Sequence, residues 1–261
     1  MIPLLYGAVF FYIAAYALIF IYHIKGGVVL ERASRISIIL GLVLHTGTLG
    51  IRTFETGHAP MASMFETLLF YSWATVLVSV VVILRYNERF TELITAPAAL
   101  LAIVFSFFNE TEGKPLTLIL RTRWFETHVT SSFAAYALFT LAFSAACLYI
   151  IFGFKKYPRD ELKRTFQDIA ARSILWGFFF FSASMFSGAV WGYLAWGAYW
   201  MWEPKIIWSF IVWFYYAGAM HAYFVREWRG MGLSIATASG FFIVIFTYLG
   251  ISLLMKSSHS F

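Results

Sequence analysis

The first membrane-length segment of the chain reads PLLYGAVFFYIAAYALIFIY, from Pro3 to Tyr22. It carries no charged side chain, and about 20 consecutive apolar residues in a helix cross the hydrocarbon core of a bilayer. The segment lacks a preceding basic stretch and a small-residue cleavage site. It is therefore predicted to be a transmembrane helix and not a signal peptide.

Apolar segments of similar length recur along the whole chain, whose 261 residues are 61% hydrophobic and only 12% charged. Soluble domains carry about 25% charged residues, so this composition cannot cover a water-exposed globular surface. The predicted fold is an all-α polytopic membrane helical bundle of about eight transmembrane helices, forming a single membrane domain over residues 1–261. The predicted spans are 3–22, 35–51, 62–84, 94–108, 128–152, 172–195, 205–224 and 232–254.

Basic residues predict the orientation of these spans. When loops are assigned alternately to the two sides of the membrane, 13 of the 19 lysines and arginines fall on one side. Cytoplasmic loops are enriched in these residues, so that side is predicted to be cytoplasmic and both termini external. Residues 155–164 are the strongest predicted cytoplasmic loop. The net charge of +6 is thus attributed to orientation and not to nucleic-acid binding.

Tryptophan is concentrated in and beside one predicted external loop, between the sixth and seventh spans. Gly197 and Pro204 predict a turn there. Indole rings are flat, rigid and largely apolar, so the cluster suits a planar macrocycle of porphyrin size, with an ordinary interfacial aromatic loop as the alternative. Six of the ten tryptophans lie within 23 residues, namely Trp191, Trp196, Trp200, Trp202, Trp208 and Trp213.

Histidines are the candidate iron ligands, because imidazole is a common axial ligand of haem. His128 begins the fifth span on the external side, and His259 follows the eighth span on the same side, so both can reach the tryptophan cluster. His221 lies within the seventh span near its cytoplasmic end, and His45 lies within the second. Ionisable groups inside spans are often functional, with a polar contact between helices as the alternative.

Residues 196–221 resemble the "WWD" segment of haem-handling membrane proteins. That pattern runs roughly WGxxWxWDPKExW and is followed by a histidine one helix later. The pattern is most similar to that of the CcsA (ResC) proteins of System II cytochrome c biogenesis. The matching residues are Trp196, Gly197, Trp200, Trp202, Glu203, Pro204, Lys205, Trp208 and His221.

Three further segments extend the resemblance over about residues 45–261. Residues 57–67 are similar to the family's G-x-x-P-x-x-N-x-Y-E-S segment. Residues 124–129 are similar to its W-L-x-x-H-V segment, and residues 248–260 to a C-terminal segment that ends in G-L-H-S-Y.

The resemblance implies roles for these residues. His128 and His259 would be the two axial ligands of a b-type haem at the external face, and the tryptophan-rich loop, residues 188–208, would hold the macrocycle. His221 would be a membrane-embedded haem ligand whose second ligand comes from a companion protein, CcsB. The candidate haem-contacting residues of the loop are Trp191, Trp196, Gly197, Trp200, Trp202, Glu203, Pro204 and Trp208.

The resemblance also implies a function, which is delivery of haem for covalent attachment to the CxxCH motifs of apocytochrome c. The chain would be the CcsA-like part of a CcsB–CcsA holocytochrome c synthase, with a thiol-reducing protein as a further partner. It would lie in an inner (cytoplasmic) or thylakoid-type membrane, with its haem site on the periplasmic or lumenal side. No residue is expected to act as a nucleophile or general acid.

Departures from the family pattern leave alternatives open. The family's loop Asp is Glu203, and the acidic residue three positions later is Ile206. One alternative is a divergent paralogue that serves as a haem-binding or structural subunit of another respiratory complex. Others are a haem chaperone or exporter without attachment activity and, last, a solute transporter.

Overall fold

A computed structural model of the protein describes residues 1–109, 116–154 and 160–254. Within these ranges every regular element is helical, which confirms the predicted all-α fold class. The chain divides into two compact units, Met1–Leu118 and Ile119–Phe261. A single membrane domain over residues 1–261 stays a prediction.

The first unit contains four helices that pack around an apolar core. They are α1 (Ile2–Lys25), α2 (Val28–Thr56), α3 (Met64–Tyr86) and α4 (Glu92–Phe107). Each helix contributes side chains to the core, which include Leu5, Tyr12, Ile38, Phe65, Leu69 and Ile103.

The second unit contains the remaining long helices. They are α5 (Arg123–Gly153), α6 (Asp160–Trp196), α7 (Pro204–Phe224) and α8 (Met231–Ile245). After α8 the chain makes a π-helical turn, Phe246–Gly250, and continues into the short helix α9 (Ile251–Leu254). The first tryptophan of the cluster lies near the end of α6, and α7 begins directly after the loop.

Six helical segments in the described residues are long and apolar enough to cross a membrane, so the chain is a multi-pass membrane protein. They correspond to the first, second, third, fifth, sixth and eighth predicted spans. The fourth predicted span forms α4, which has 16 residues and contains Pro97. The seventh forms the 21-residue α7, whose Trp, Tyr and His residues lower its hydropathy. The total of eight spans and the external termini stay predictions.

The structure corrects two predicted loops. Residues 160–164, placed in a cytoplasmic loop, begin α6, whose 37 residues extend about 55 Å and so exceed the roughly 30 Å hydrocarbon core. Arg52, also placed in a loop, lies inside α2 and is only 4% exposed. In both cases hydropathy locates the apolar part of a helix, whereas the helix itself continues into charged sequence.

Small side chains allow α5 and α6 to approach closely. Gly177 of α6 faces the buried ring of Phe139 on α5, and a Cβ atom at Gly177 would lie 2.6 Å from that ring. The same ring stacks on Tyr216 of α7, with centroids 3.6 Å apart. Close backbone approach at small residues is a general feature of helix packing in membranes. Gly177 therefore allows the close approach of α5 and α6, and Phe139 connects that contact to α7.

We predict that Gly177→Ala destabilises the protein by about 1–3 kcal/mol, because the added methyl group overpacks a filled core. The matched control is Gly50→Ala in α2, where a Cβ atom meets nothing within 4 Å and alanine is the better helix former. Thermal unfolding in detergent measures both variants. Equal stability of the two would contradict this account of the α5–α6 contact.

Candidate functional site

The position of His128 is set by the start of α5. Thr122 caps this helix by accepting a hydrogen bond from the backbone N–H of Phe125 at 3.1 Å. His128 then lies in the second turn, where its Nδ1 is 2.8 Å from the carbonyl oxygen of Ser184 on α6. A carbonyl oxygen can only accept, so the neutral ring carries its proton on Nδ1. The lone pair is therefore on Nε2, which is free to bind iron.

The buried side chain of Trp191 lies beside this histidine. Its side chain is 4% exposed, and its indole N–H donates to the carbonyl oxygen of Ile119 at 3.0 Å. The Trp191 and His128 rings are nearly parallel, at 16° with centroids 6.3 Å apart. Phe125 and Trp196 contact the indole at centroid distances of 5.0 and 4.8 Å. Trp191 is thus a fixed core residue that also borders the candidate ligand.

The loop after α6 exposes the outer tryptophans. The helix ends at Trp196, and Gly197 adopts a left-handed conformation with φ 75°, which glycine accommodates without a Cβ clash. Trp202 is 82% exposed and meets Trp200 edge to face at 5.4 Å. Trp200 in turn packs on Phe210 of α7 at 4.5 Å. The loop therefore exposes the indole of Trp202, which contacts Trp200, and Trp200 is held by Phe210.

The loop ends where α7 begins. Glu203 is the residue that precedes the helix, and Pro204 occupies its first position, where the missing N–H costs no helix hydrogen bond. One turn later, Trp208 packs on Phe246 of the π-helical turn, with centroids 4.6 Å apart. Single π-helical turns often mark functional positions in helices. Aromatic contacts thus occur at the start of α5, the end of α6, the start of α7 and this turn.

His221 lies at a separate position on α7. Its Nδ1 is 2.9 Å from the carbonyl oxygen of Ala217, so it donates there, and in the neutral ring the lone pair is then on Nε2; the side chain is exposed. Seventeen residues separate it from Pro204, which is roughly 25 Å along the helix. His221 therefore lies far along α7 from the tryptophan-rich loop. The exposed face of α7 that carries His221 also includes Ile207, Ile211, Phe214 and Gly218.

The other histidines have different surroundings. His259 lies outside the described residues. His45 is fully buried in the first unit with its Nδ1 3.2 Å from the Tyr12 hydroxyl. His23 stacks on Phe90 with centroids 4.1 Å apart. His58 is buried after α2, with its Nδ1 2.7 Å from the carbonyl oxygen of Ala59.

A buried ion pair in the first unit was not predicted from the sequence. Arg52 of α2 donates to Glu66 of α3 at 2.8 Å, and the two side chains are 5% and 2% exposed. The second carboxylate oxygen of Glu66 accepts the backbone N–H of Ala62 at 2.9 Å. Glu66 therefore links α2, α3 and the segment between them, which is part of the family-like stretch at residues 57–67. The only sequence signal was one Arg and one Glu at the ends of adjacent spans.

These features define a class of protein, which is a polytopic helical membrane protein with a histidine at the edge of a tryptophan-rich loop. A family model described as "Cytochrome C assembly protein" matches residues 61–259. The chain therefore belongs to the cytochrome c assembly protein family, and the predicted resemblance is confirmed.

Individual relatives agree with this assignment. The chain is 28% identical to the cytochrome c biogenesis protein CcsA of Prochlorococcus marinus (strain NATL1A), over 83% of this chain and 80% of the relative. It is 30% identical to CcsA of Mesostigma viride, over 82% of this chain and 80% of that protein. The chain is thus of the CcsA type.

A solved structure shares the fold. The cytochrome c haem lyase CcmF superposes with a TM-score of 0.68 at 16% sequence identity, over 98% of this chain. The match covers 46% of CcmF, so this chain spans about half the length of that protein. The likeness shows that the two proteins have the same helical architecture over this half.

We predict that Glu66→Leu destabilises the protein by about 3–5 kcal/mol, because it leaves the buried Arg52 guanidinium without its carboxylate partner. The double variant Arg52→Met/Glu66→Leu removes both charges and is expected to recover most of that loss. Thermal unfolding in detergent compares the two. Equal destabilisation of the single and double variants would show that the ion pair itself is not what matters.

Proposed function

We propose that this chain binds haem at its predicted external membrane face and positions it for covalent attachment to the CxxCH motif of apocytochrome c. The observation that carries the proposal is the hydrogen bond from Nδ1 of His128 to the Ser184 carbonyl beside Trp191. Metal-binding histidines characteristically donate their second ring N–H to such an oxygen. The names of the relatives, which are cytochrome c biogenesis proteins, support the same function.

The residues present fit a haem substrate. His128 supplies an axial imidazole, and His259, which carries the same role by family resemblance, is proposed as the second. Trp202 and its aromatic neighbours offer an exposed apolar surface for the macrocycle. When the haem is held there, a cysteine thiol of the CxxCH motif adds across a vinyl group: its sulphur bonds to one vinyl carbon and its hydrogen goes to the other. The chain contributes orientation and proximity.

His221 is proposed to bind a second haem within the membrane, together with a ligand from another protein. Its side chain is exposed on α7, and its Nε2 is available for iron. Exposing an ionisable side chain of a membrane helix to lipid costs free energy unless the side chain has a partner. A CcsB-like membrane protein that packs against this face of α7 would supply that partner. This pairing makes His221 an entry position and His128 the attachment position.

The proposed haem is b-type before attachment, and the proposed partners are a CcsB-like protein, apocytochrome c and a thiol-reducing protein. The membrane is an inner or thylakoid-type membrane. The substitutions at Glu203 and Ile206 favour one second candidate, which is haem binding or delivery without attachment. Glu203 keeps the acidic group of the family's Asp on a longer side chain. Ile206 replaces an acidic residue, and its side chain can neither accept a hydrogen bond nor bear charge.

We predict that the chain purified in detergent shows a b-type haem spectrum after reduction and that His128→Ala weakens or shifts this spectrum. The variant removes an axial ligand but leaves the tryptophans in place. The measurement is the dithionite-reduced absorption spectrum, normalised to protein. His58→Ala is the control, because His58 also donates from Nδ1 to a carbonyl oxygen but lies in the other helical unit.

A colourless wild-type protein, purified from cells supplied with haem, would contradict haem binding. An identical spectrum in wild type and His128→Ala would contradict the proposed ligand. Loss of haem in His58→Ala to the same extent as in His128→Ala would show that the effect is not specific to the site.

Attachment and delivery differ in their product, and we predict attachment. The chain, co-purified with its membrane partner, is mixed with haem, reductant and a peptide that contains CxxCH. The pyridine haemochrome spectrum is expected to shift from b-type to c-type as the vinyl groups are consumed. A peptide with both cysteines replaced by alanine is the control. Bound haem with no c-type product would favour the delivery alternative.

A further inference from the structure

The orientation of the His128 ring depends on residues of α6. Ser184 provides two acceptors for its Nδ1–H: the carbonyl oxygen at 2.8 Å and the hydroxyl oxygen at 3.1 Å. The ring is therefore held from one side of α6, and its other nitrogen points away from these acceptors. This arrangement fixes both the tautomer and the direction of Nε2.

A chain of hydroxyl groups extends this contact back to α5. The Ser184 hydroxyl lies 2.5 Å from the Ser132 hydroxyl, and Ser132 donates to the backbone carbonyl of His128 at 2.8 Å. A carbonyl can only accept, so the Ser132 hydroxyl uses its proton to donate to it. The Ser132 oxygen must then accept the hydrogen bond from the Ser184 hydroxyl. The Ser184 hydroxyl oxygen is thereby left as an acceptor that faces His128.

Gly188 provides the space that the ring occupies. It lies one helical turn after Ser184 and about one turn before Trp191, so the three residues share one face of α6. A Cβ atom at Gly188 would lie 2.5 Å from Nδ1 of His128 and 2.8 Å from the neighbouring ring carbon Cε1. Any side chain at this position requires the His128 ring, or the two helices, to shift from the present arrangement.

We infer that Gly188 and Ser184 are positioning residues that hold His128 as an Nε2 iron ligand: Gly188 by leaving room for the ring and Ser184 by fixing its tautomer. The inference rests on the proposed function, in which His128 binds iron. Partners that hydrogen-bond to a ligand histidine set its basicity, and their loss typically lowers metal affinity or activity about 10–100-fold.

The test uses the full chain in detergent, titrated with haem. Gly188→Ala is expected to weaken haem affinity at least roughly tenfold, because it displaces the His128 ring. Gly232→Ala is the matched control in the same helical unit, since a Cβ atom there, near the start of α8, meets nothing within 4 Å. The affinity of Gly232→Ala is expected to stay at the wild-type value.

Ser184→Ala provides a second test that does not depend on how well Gly188→Ala folds. It keeps the backbone acceptor and removes the hydroxyl acceptor, so His128 becomes a weaker donor of electron density to iron. The reduction midpoint potential of the bound haem is expected to move to a more positive value. Ser173→Ala, also buried on α6, is the control, and its potential is expected to be unchanged.

The outcomes separate the inference from the proposed function. If His128→Ala loses haem but Gly188→Ala binds haem like wild type, and the potential of Ser184→Ala is also unchanged, the positioning inference is overturned while the proposed function stands. If His128→Ala itself binds haem normally, both are overturned. Weaker binding in Gly188→Ala with a shifted potential in Ser184→Ala supports the inference.

Discussion

The close approach of α5 and α6 is the constraint on which the candidate site depends. These two helices meet through small or hydroxylated side chains on α6, including Gly177, Ser184 and Gly188. Without that spacing, the Nδ1 of His128 could not reach a backbone carbonyl of the neighbouring helix. In a membrane there is little hydrophobic drive between helices, so close packing and hydrogen bonds of this kind carry the association. The same contact thus stabilises the helical unit and orients the histidine.

The sequence predicts the architecture well because hydropathy reports directly on transfer into lipid. Six of the eight predicted spans correspond to helices that are long and apolar enough to cross a membrane. It predicts helix ends poorly, because a helix can continue beyond the apolar region. The first turns of α6 and the burial of Arg52 are examples, since charged residues there belong to helices and not to loops.

The sequence predicts which residues form the candidate site but not how their side chains pack. The tryptophan cluster and His128 are visible in the amino-acid pattern, which also indicates that they lie on one side of the membrane. The pattern does not distinguish Trp191, a buried core residue, from Trp202, which is 82% exposed. Nor does it pair Gly188 with His128, because the two residues are 60 positions apart and lie on different helices. Such contacts depend on packing between helices, which local sequence does not encode.

The two candidate iron ligands that the structure describes share one feature despite their different locations. Both His128 and His221 direct Nδ1 to a backbone carbonyl, which leaves Nε2 available. They differ in what surrounds that nitrogen. His128 lies against Trp191 inside its own helical unit, whereas His221 is exposed on α7. A histidine whose orientation is fixed within its own helical unit suits a site where haem is held for reaction. A histidine on an exposed helix face suits a site that another membrane protein completes.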